Sequence, residues 1–261
     1  MISNQPRIVI LLLCHKATES LIQMYKSIRE ASQMTADLFI LYHLKDANSP
    51  QQIGDLGHFY FTDTVITQLN YIPIGFNLIP GNNHFPLLKF HLENPHYDYY
   101  WCIEDDVRFN GNWKYFFDSF SSVNDDFLTS HIRVSSEEPE WPWWSALSHP
   151  YTIIDFEKRI RSFNPVYRIS KTAINFIHNA LVNCWSGHHE VLFPTLLHRN
   201  GYNIGDIGGV GKFVLPGFYN RFYVDSTPNR QGNLSDGTMR FRPLFSSLGT
   251  LPNKLYHPIK K

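Results

Sequence analysis

The chain has 261 residues, of which 43% are hydrophobic. That length and composition suffice for one large folded domain and exclude a disordered chain. The 23 basic and 23 acidic residues give a formal net charge of zero. A general nucleic-acid binder carries a surplus of basic residues, so the charge balance argues against that class.

Three cysteines, Cys14, Cys102 and Cys184, are widely spaced along the chain. Their spacing predicts neither a zinc site nor a disulfide framework and favours a reducing compartment. The first seven residues lack the order of a signal peptide, and the apolar run 8–13 is too short to cross a bilayer. We therefore expect a cytoplasmic protein, and the lysines at 260 and 261 leave peripheral contact with the inner face of the membrane open.

Unbroken apolar runs at 8–14, 38–42 and 99–103 indicate strands buried on both faces, as in a parallel sheet. Helical spacing over 18–31 completes a β-α-β unit. The remaining pattern predicts strands at 58–61, 127–132 and 164–170, and helices at 86–93, 113–120, 171–182 and 190–199. The fold class is therefore α/β: a mixed, mostly parallel sheet flanked by helices, in a single domain. From residue 227 the chain lacks periodicity, which predicts a long, partly ordered C-terminal loop that either folds back over the ligand site or packs on the domain.

Three adjacent carboxylates, Glu104, Asp105 and Asp106, follow the strand predicted at 99–103. Ligands of open α/β sheets bind beyond the carboxyl ends of strands. Side chains alternate on an extended chain, so Glu104 and Asp106 point one way and Asp105 the other. Oxygen ligands suit Mn²⁺ or Mg²⁺, and His257 could add a nitrogen ligand. The triplet therefore predicts a divalent-metal site, with a solvated acidic turn as the alternative.

A second group, His188, His189 and Glu190, stands at the start of a predicted helix. The helix dipole stabilises an ionised carboxylate there, which suits Glu190 to act as a general base. The two histidines could orient that base or a ligand. An ordinary charge at a helix start is the alternative.

Aromatic residues are unusually numerous, with 20 Phe, 14 Tyr and 6 Trp, and several cluster in the segment 137–144. Flat apolar rings beside hydrogen-bonding groups suit a sugar, which has C–H faces and hydroxyl edges. The candidate sugar contacts are Glu138, Trp141, Trp143 and Trp144. A surface loop pinned by its own aromatic rings is the alternative.

Positive charge concentrates in the tail, where it could clamp a diphosphate, although the last two lysines are as readily explained as solvated charges. The residues concerned are Arg230, Arg240, Arg242, Lys254, Lys260 and Lys261.

Segments 10–16 (ILLLCHK), 42–46 (YHLKD) and 96–100 (HYDYY) precede the acidic triplet, and 188–190 (HHE) with Thr195 follows it. This order resembles the core-2/I-branching type of GT-A glycosyltransferases. The resemblance implies a Rossmann-like GT-A fold, a nucleotide-sugar donor that we expect to be UDP-linked, inversion at the anomeric carbon, and Glu190 as the base. It also implies that His15, Lys16 and Asp46 lie near the nucleotide.

The acidic triplet departs from that family, whose members work without an acidic metal motif. Glu104-Asp105-Asp106 is instead similar to the Asp-any-Asp motif of metal-dependent GT-A enzymes, and a late histidine such as His257 is similar to that wider group. The resemblance is therefore firmer for the superfamily than for the family.

These features predict that different segments of the chain bind different substrates. Residues 1–107 would bind the nucleotide sugar, 108–226 would bind the acceptor and carry the base, and 227–261 would close over the site. Further donor contacts are expected from Asp105, Arg240, Arg242 and Lys254, and acceptor contacts from His188 and His189. A hexose or N-acetylhexosamine would be transferred to a saccharide, in polysaccharide biosynthesis.

Two other classes remain open. A metal-dependent nucleotidyltransferase or hydrolase could use the same acidic strand end, although no Gly-rich phosphate loop follows the first strand. A non-catalytic carbohydrate-binding protein would need the aromatic loop but gives no reason for the triplet and Glu190 to coexist.

Overall fold

The structure is a computed structural model that describes residues 5–45 and 53–260. Seven strands form the main sheet: β1 (Ile8–Cys14), β2 (Ala36–His43), β3 (His58–Phe61), β4 (Tyr99–Glu104), β6 (Phe127–Val134), β7 (Ile160–Ser170) and β8 (Ile204–Asp206). Their spatial order is β3-β2-β1-β4-β7-β6-β8. Two short strands, β5 (Arg108–Phe109) and β9 (Leu255–Tyr256), pair in a separate small sheet.

Strand direction in the main sheet is nearly uniform. The pairs β1–β2, β1–β4, β2–β3 and β6–β8 are parallel, whereas β7 runs antiparallel to both of its neighbours, β4 and β6. The predicted mixed, mostly parallel sheet in a single α/β domain is therefore confirmed. The reversal also sets Ile103, near the end of β4, opposite Val166, just past the middle of β7.

Helices cover both faces of this sheet: α1 (Glu19–Ser32), α2 (Val65–Gln68), α3 (Phe85–Glu93), α4 (Trp113–Asp118), α5 (Lys171–Val182) and α6 (His189–Arg199). Alternate strand residues bury against opposite layers. Val9 and Leu11 belong to the core under α3, α5 and α6, whereas Ile10 and Leu12 belong to the core under α1 and α4. The unbroken apolar run of β1 is thus explained by burial on both faces.

Most predicted boundaries lie within one or two residues of the observed ones, but β7 begins at Ile160, four residues before the predicted start. The early part, with Arg161, Ser162 and Asn164, carries polar side chains that are nonetheless buried. Their partners lie far away in sequence, so hydrophobic periodicity gave no sign of the strand.

The tail is a loop that packs on the domain, as predicted, and short backbone pairings hold it there. The N–H of Asn110 donates to Lys254 O, and the N–H of Ile259 donates to Asp106 O. Met239 and Leu255 are fully buried. These contacts bring the residues after 254 beside the end of β4.

None of the helices in the described part of the chain combines the length and the hydropathy that a bilayer-spanning segment needs. The cytoplasmic location stays a prediction.

Candidate active site

A cavity of about 850 Å³ opens where β1, β2 and β4 end. Its wall includes Cys14, His43 and Glu104 from those strand ends, and His257 and Lys260 from the tail. The carboxyl edge of a parallel sheet is where ligands of open α/β folds bind. The cavity is therefore the candidate active site.

The predicted metal ligands lie together in this cavity. Glu104, Asp106 and His257 each offer one ligand atom, and these atoms all lie within 4.8 Å of one another. Nε2 of His257 is 3.2 Å from Oδ1 of Asp106 and 3.5 Å from Oε2 of Glu104. Asn83 donates to Oε1 of Glu104 from 3.2 Å and orients it. Three residues from two distant parts of the chain thus converge on one point.

The charged side chains of this cluster shift one another's pKa values. Burial opposes ionisation of Asp106, but His257 and then Lys260, whose Nζ is 3.5 Å away, hold the pKa of Asp106 below its usual value. Burial would lower the pKa of His257, yet Asp106 and Glu104 raise it to about 9. Burial, with the charges of Asp106 and Glu104, raises the pKa of Asp105 to about 7. Glu104 and Asp106 thus face two cations, protonated His257 and Lys260, and a divalent ion bound between the carboxylates would take the place of the His257 proton.

The donor set fits Mn²⁺ or Mg²⁺. Oδ1 of Asp106 is buried and has no well-aligned hydrogen-bond donor among the described residues, and its charge partner is Nε2 of His257 at 3.2 Å. A carboxylate oxygen without a directed hydrogen bond is available to coordinate a metal ion. Two carboxylates and one imidazole, with no cysteine in this cluster of described residues, suit a hard or borderline divalent ion. Glu104, Asp106 and His257 are the residues that would hold it.

Glu190, the predicted base, lies in the first turn of α6 and lines the same cavity. Its Oε1 accepts from the backbone N–H of Asn164 at 3.1 Å. Burial raises the pKa of Glu190 to about 7, against the opposing effect of Arg161. A carboxylate with a pKa near neutral is well matched to accept a proton at physiological pH.

Arg161 is a fully buried cation beside the base, and no sequence pattern marked it as a site residue. Its Nη1 donates to Oε2 of Glu138 at 2.9 Å, and its guanidinium lies 4.5 Å from the ring centroid of Trp141. Glu138 is 5% exposed and does not line the cavity, whereas Trp141 does. The pair therefore holds the aromatic segment against β7.

The remaining residues of that segment divide in the same way. Trp143 lines the cavity and its ring lies 5.1 Å from that of His188. Trp144 is buried away from the cavity, where its Nε1 donates to Glu138 O. His188 and His189 both line the cavity beside Glu190. Trp141, Trp143 and the two histidines thus form an aromatic wall.

Basic side chains follow the ends of β1 and β2. His15 and Lys45 line it, and burial together with the charges of Lys45, Lys16 and Lys260 lowers the pKa of His15. Lys16 is exposed next to His15 but does not line the cavity. The predicted contact Asp46 lies outside the described residues. This part of the cavity suits an anionic group.

The predicted tail cations are placed differently from one another. Arg242 lines the cavity. Arg240 instead lies over the ring of Phe245 at 3.7 Å and donates to Pro243 O. Lys254 donates to backbone carbonyls, at Asn220 and Arg221, away from the cavity.

Several cavity residues were not predicted. Lys45 and His43 sit at the end of β2, so the strand-end rule applied to the triplet could have found them. Asp63 lies 2.9 Å from His43 and also lines the cavity. No signal marked Arg161, because it lies within a strand whose start was missed.

Comparison with known proteins gives only distant likenesses. The family model described as "protein of unknown function (DUF3405)" matches residues 75–127, which contain the acidic triplet but make up far less than half of the chain. No curated protein matches the chain.

Among solved structures, 4-diphosphocytidyl-2C-methyl-D-erythritol synthase from Anaerococcus prevotii has 6% identity and a TM-score of 0.46, covering 81% of this chain and 92% of its own. Glucosyl-3-phosphoglycerate synthase from Mycobacterium tuberculosis, in complex with Mn²⁺, UDP and glucosyl-3-phosphoglycerate, has 14% identity and a TM-score of 0.44, covering 77% and 69%. Core-mannan synthase A from Aspergillus fumigatus, in an Mn/GDP form, has 12% identity and a TM-score of 0.40, covering 78% and 73%. At these values none of the likenesses assigns an activity to the chain.

Proposed function

We propose that the protein is a metal-dependent GT-A glycosyltransferase that moves a sugar from a nucleotide-sugar donor, UDP-linked, to a saccharide acceptor with inversion. One observation carries the proposal. A single cavity contains both a carboxylate–histidine cluster and a buried carboxylate whose pKa is about 7.

The donor would lie across the carboxyl edge of the sheet. Its diphosphate would face Lys45, Arg242 and Lys260, three cations that line the cavity. A Mn²⁺ or Mg²⁺ ion held by Glu104, Asp106 and His257 would supply Lewis-acid charge to the departing diphosphate. We assign residues 1–107 and the tail to donor binding on this basis.

The acceptor would lie against the aromatic wall of Trp141, Trp143 and the two histidines, and we assign residues 108–226 to this role. Glu190 accepts the proton of an acceptor hydroxyl as that oxygen forms a bond to the anomeric carbon. The bond from that carbon to the diphosphate oxygen breaks, and its electron pair leaves with the nucleoside diphosphate. Attack opposite to the leaving group inverts the anomeric carbon.

The test is an assay that separates sugar transfer from nucleotidyl transfer. The protein is incubated with Mn²⁺, a panel of nucleoside diphosphate sugars and a set of mono- and oligosaccharide acceptors, and products are identified by mass spectrometry. We expect a glycosylated acceptor and free nucleoside diphosphate. Release of pyrophosphate from nucleoside triphosphates would favour a nucleotidyltransferase. Sugar binding without turnover and without any response to nucleotide or Mn²⁺ would favour a carbohydrate-binding protein.

A further inference from the structure

Two neutral histidines stand side by side next to the candidate base. The rings of His188 and His189 are stacked with centroids 5.0 Å apart, and Trp143 packs on the other face of His188 at 5.1 Å. Both side chains are buried, and both line the cavity. Their ring orientations are therefore fixed by packing, so the position of each ring proton decides what the cavity wall offers a ligand.

His188 caps the helix that bears Glu190. Its Nδ1 accepts the backbone N–H of Glu190 at 3.3 Å. A backbone nitrogen can only donate, so this Nδ1 carries no proton. Burial lowers the pKa of His188 to about 2, which keeps the ring neutral. The single ring proton of His188 is therefore on Nε2.

The position of the ring proton of His189 is set by Asn164 on β7, a residue that the sequence analysis did not single out. Nδ2 of Asn164 is 3.2 Å from Nδ1 of His189. The hydroxyl of Thr129 lies 2.8 Å from Oδ1 of Asn164 and 3.0 Å from Phe163 O, and that of Ser162 lies 2.7 Å from Oδ1 and 3.3 Å from Glu190 O. Since Oδ1 is the nearer acceptor for both hydroxyls, the carboxamide turns its NH₂ group towards His189.

Nδ1 of His189 is consequently an acceptor, and its ring proton is also on Nε2. Burial lowers the pKa of His189 to about 3, so this ring is neutral as well. In the part of the chain that the structure describes, neither Nε2 makes a hydrogen bond. The same Asn164 donates its backbone N–H to Glu190, so it contacts both the base and its neighbour.

We propose that Asn164 is a positioning residue that, together with the cap contact of His188, presents two neutral Nε2–H donors beside the Glu190 carboxylate, and that these donors bind hydroxyl oxygens of the acceptor sugar. The identity of the ligand rests on the proposed function, whereas the proton positions do not. Neutral donors hold hydroxyl oxygens without placing a positive charge beside Glu190. An imidazolium there would stabilise the carboxylate and weaken it as a base.

Nitrogen NMR of the histidine rings tests the proton positions directly. The whole protein is labelled with ¹⁵N-histidine, and signals are assigned by their loss in His188→Gln and His189→Gln. We expect both rings to have a protonated Nε2 and an unprotonated Nδ1 at neutral pH. In Asn164→Asp the new carboxylate can only accept, so His189 should gain a proton on Nδ1 while His188, as the internal control, stays unchanged.

Steady-state kinetics then distinguish a specific effect on acceptor binding from a general loss of structure in the variant. In Asn164→Asp we expect the KM for the acceptor to rise about tenfold and the KM for the donor to change by less than about twofold, since the donor site lies elsewhere in the cavity. If Asn164→Asp does not fold, Ser162→Ala removes one donor to Oδ1 and should give a mixture of His189 tautomers.

A wild-type His189 with its proton on Nδ1 would overturn the inference. So would variants that leave the His189 tautomer unchanged, or that weaken donor and acceptor binding equally. The expected tautomers without any sugar transfer would overturn the proposed function and leave the proton positions standing.

Discussion

Nε2 of His257, in the tail, lies 3.2 Å from Oδ1 of Asp106, just past the end of the central strand β4. The backbone supports this approach, because the N–H of Ile259 donates to Asp106 O at 2.8 Å. The contact joins the acidic edge of the sheet to the tail, and the proposed metal site depends on it.

The first prediction concerns that site. Asp106→Asn should abolish the rise in melting temperature that Mn²⁺ and UDP together give the wild type, because it removes one negative charge from a three-ligand cluster. Differential scanning fluorimetry at several Mn²⁺ concentrations measures this. Asp118→Asn, on the exposed face of α4 and paired with Lys114, is the control and should respond like the wild type. A normal Mn²⁺ response in Asp106→Asn would remove the metal from the mechanism.

The second prediction concerns the base. Glu190→Gln should lower kcat by roughly 10²–10⁴-fold while donor binding is kept. Because a base works in its ionised form, the wild-type kcat/KM should rise with pH and level off above the Glu190 pKa of about 7. Steady-state rates between pH 5 and 9 measure both effects. A rate that falls through pH 7, or near-normal turnover in Glu190→Gln, would require another base.

The third prediction is that the same change stabilises the fold. The pKa of Glu190 is about 7 in the folded protein and 4.5 when exposed, so the folded state binds more protons between these values and loses stability as pH rises through that range. Glu190→Gln cannot ionise, so it escapes this loss. Between pH 4 and pH 8 the unfolding free energy of the wild type should therefore fall by on the order of 3 kcal/mol relative to that of the variant. Urea unfolding at both pH values measures the difference. Glu30→Gln, on the exposed side of α1, should show none. An equal pH dependence in Glu190→Gln would mean that the carboxyl has an ordinary pKa.

The fourth prediction concerns the buried pair of Arg161 and Glu138. Glu138→Gln removes the carboxylate that is hydrogen-bonded to a buried guanidinium, and should cost about 3–5 kcal/mol of unfolding free energy. Arg161→Met should also destabilise, and the double variant should lose clearly less than the two single losses combined. Urea unfolding of the four proteins gives this cycle. Additive losses would show that the two side chains act independently.

The fifth prediction separates two tail arginines. Arg242→Ala should weaken binding of UDP about tenfold or more, because Arg242 lines the cavity and can donate charge-assisted hydrogen bonds to the diphosphate. Arg240→Ala is the matched control and should bind UDP normally, since its guanidinium is held over Phe245. Isothermal titration calorimetry in the presence of Mn²⁺ measures both. Equal losses in the two variants would point to tail packing rather than to a direct contact.

Much of the fold could be predicted because its strands and helices carry their own signal. The run of β1 reads as a strand buried on both faces, and α5 was predicted with its observed bounds. The alternation of Glu104 and Asp106 also follows from local geometry, and it places the two carboxylates in one cluster.

What the sequence did not reveal depends on partners that are distant along the chain. Arg161 and Asn164 are polar and buried, and the partners that make their burial acceptable, such as Glu138 and His189, come from other elements of the fold. The roles of Trp141 and Trp144 differ for the same reason, since one lines the cavity and the other packs behind it. Residue type alone does not separate such cases.

The convergence of β4 and the tail also has a consequence for how the protein is made. Ribosomes add roughly 5–20 residues per second, so roughly eight to thirty seconds separate the synthesis of Asp106 from that of His257. During that interval the nascent chain already has Glu104 and Asp106 but lacks the third ligand. The growing polypeptide should therefore be unable to hold the metal in its final site, and activity should begin only after His257 has been translated and docked.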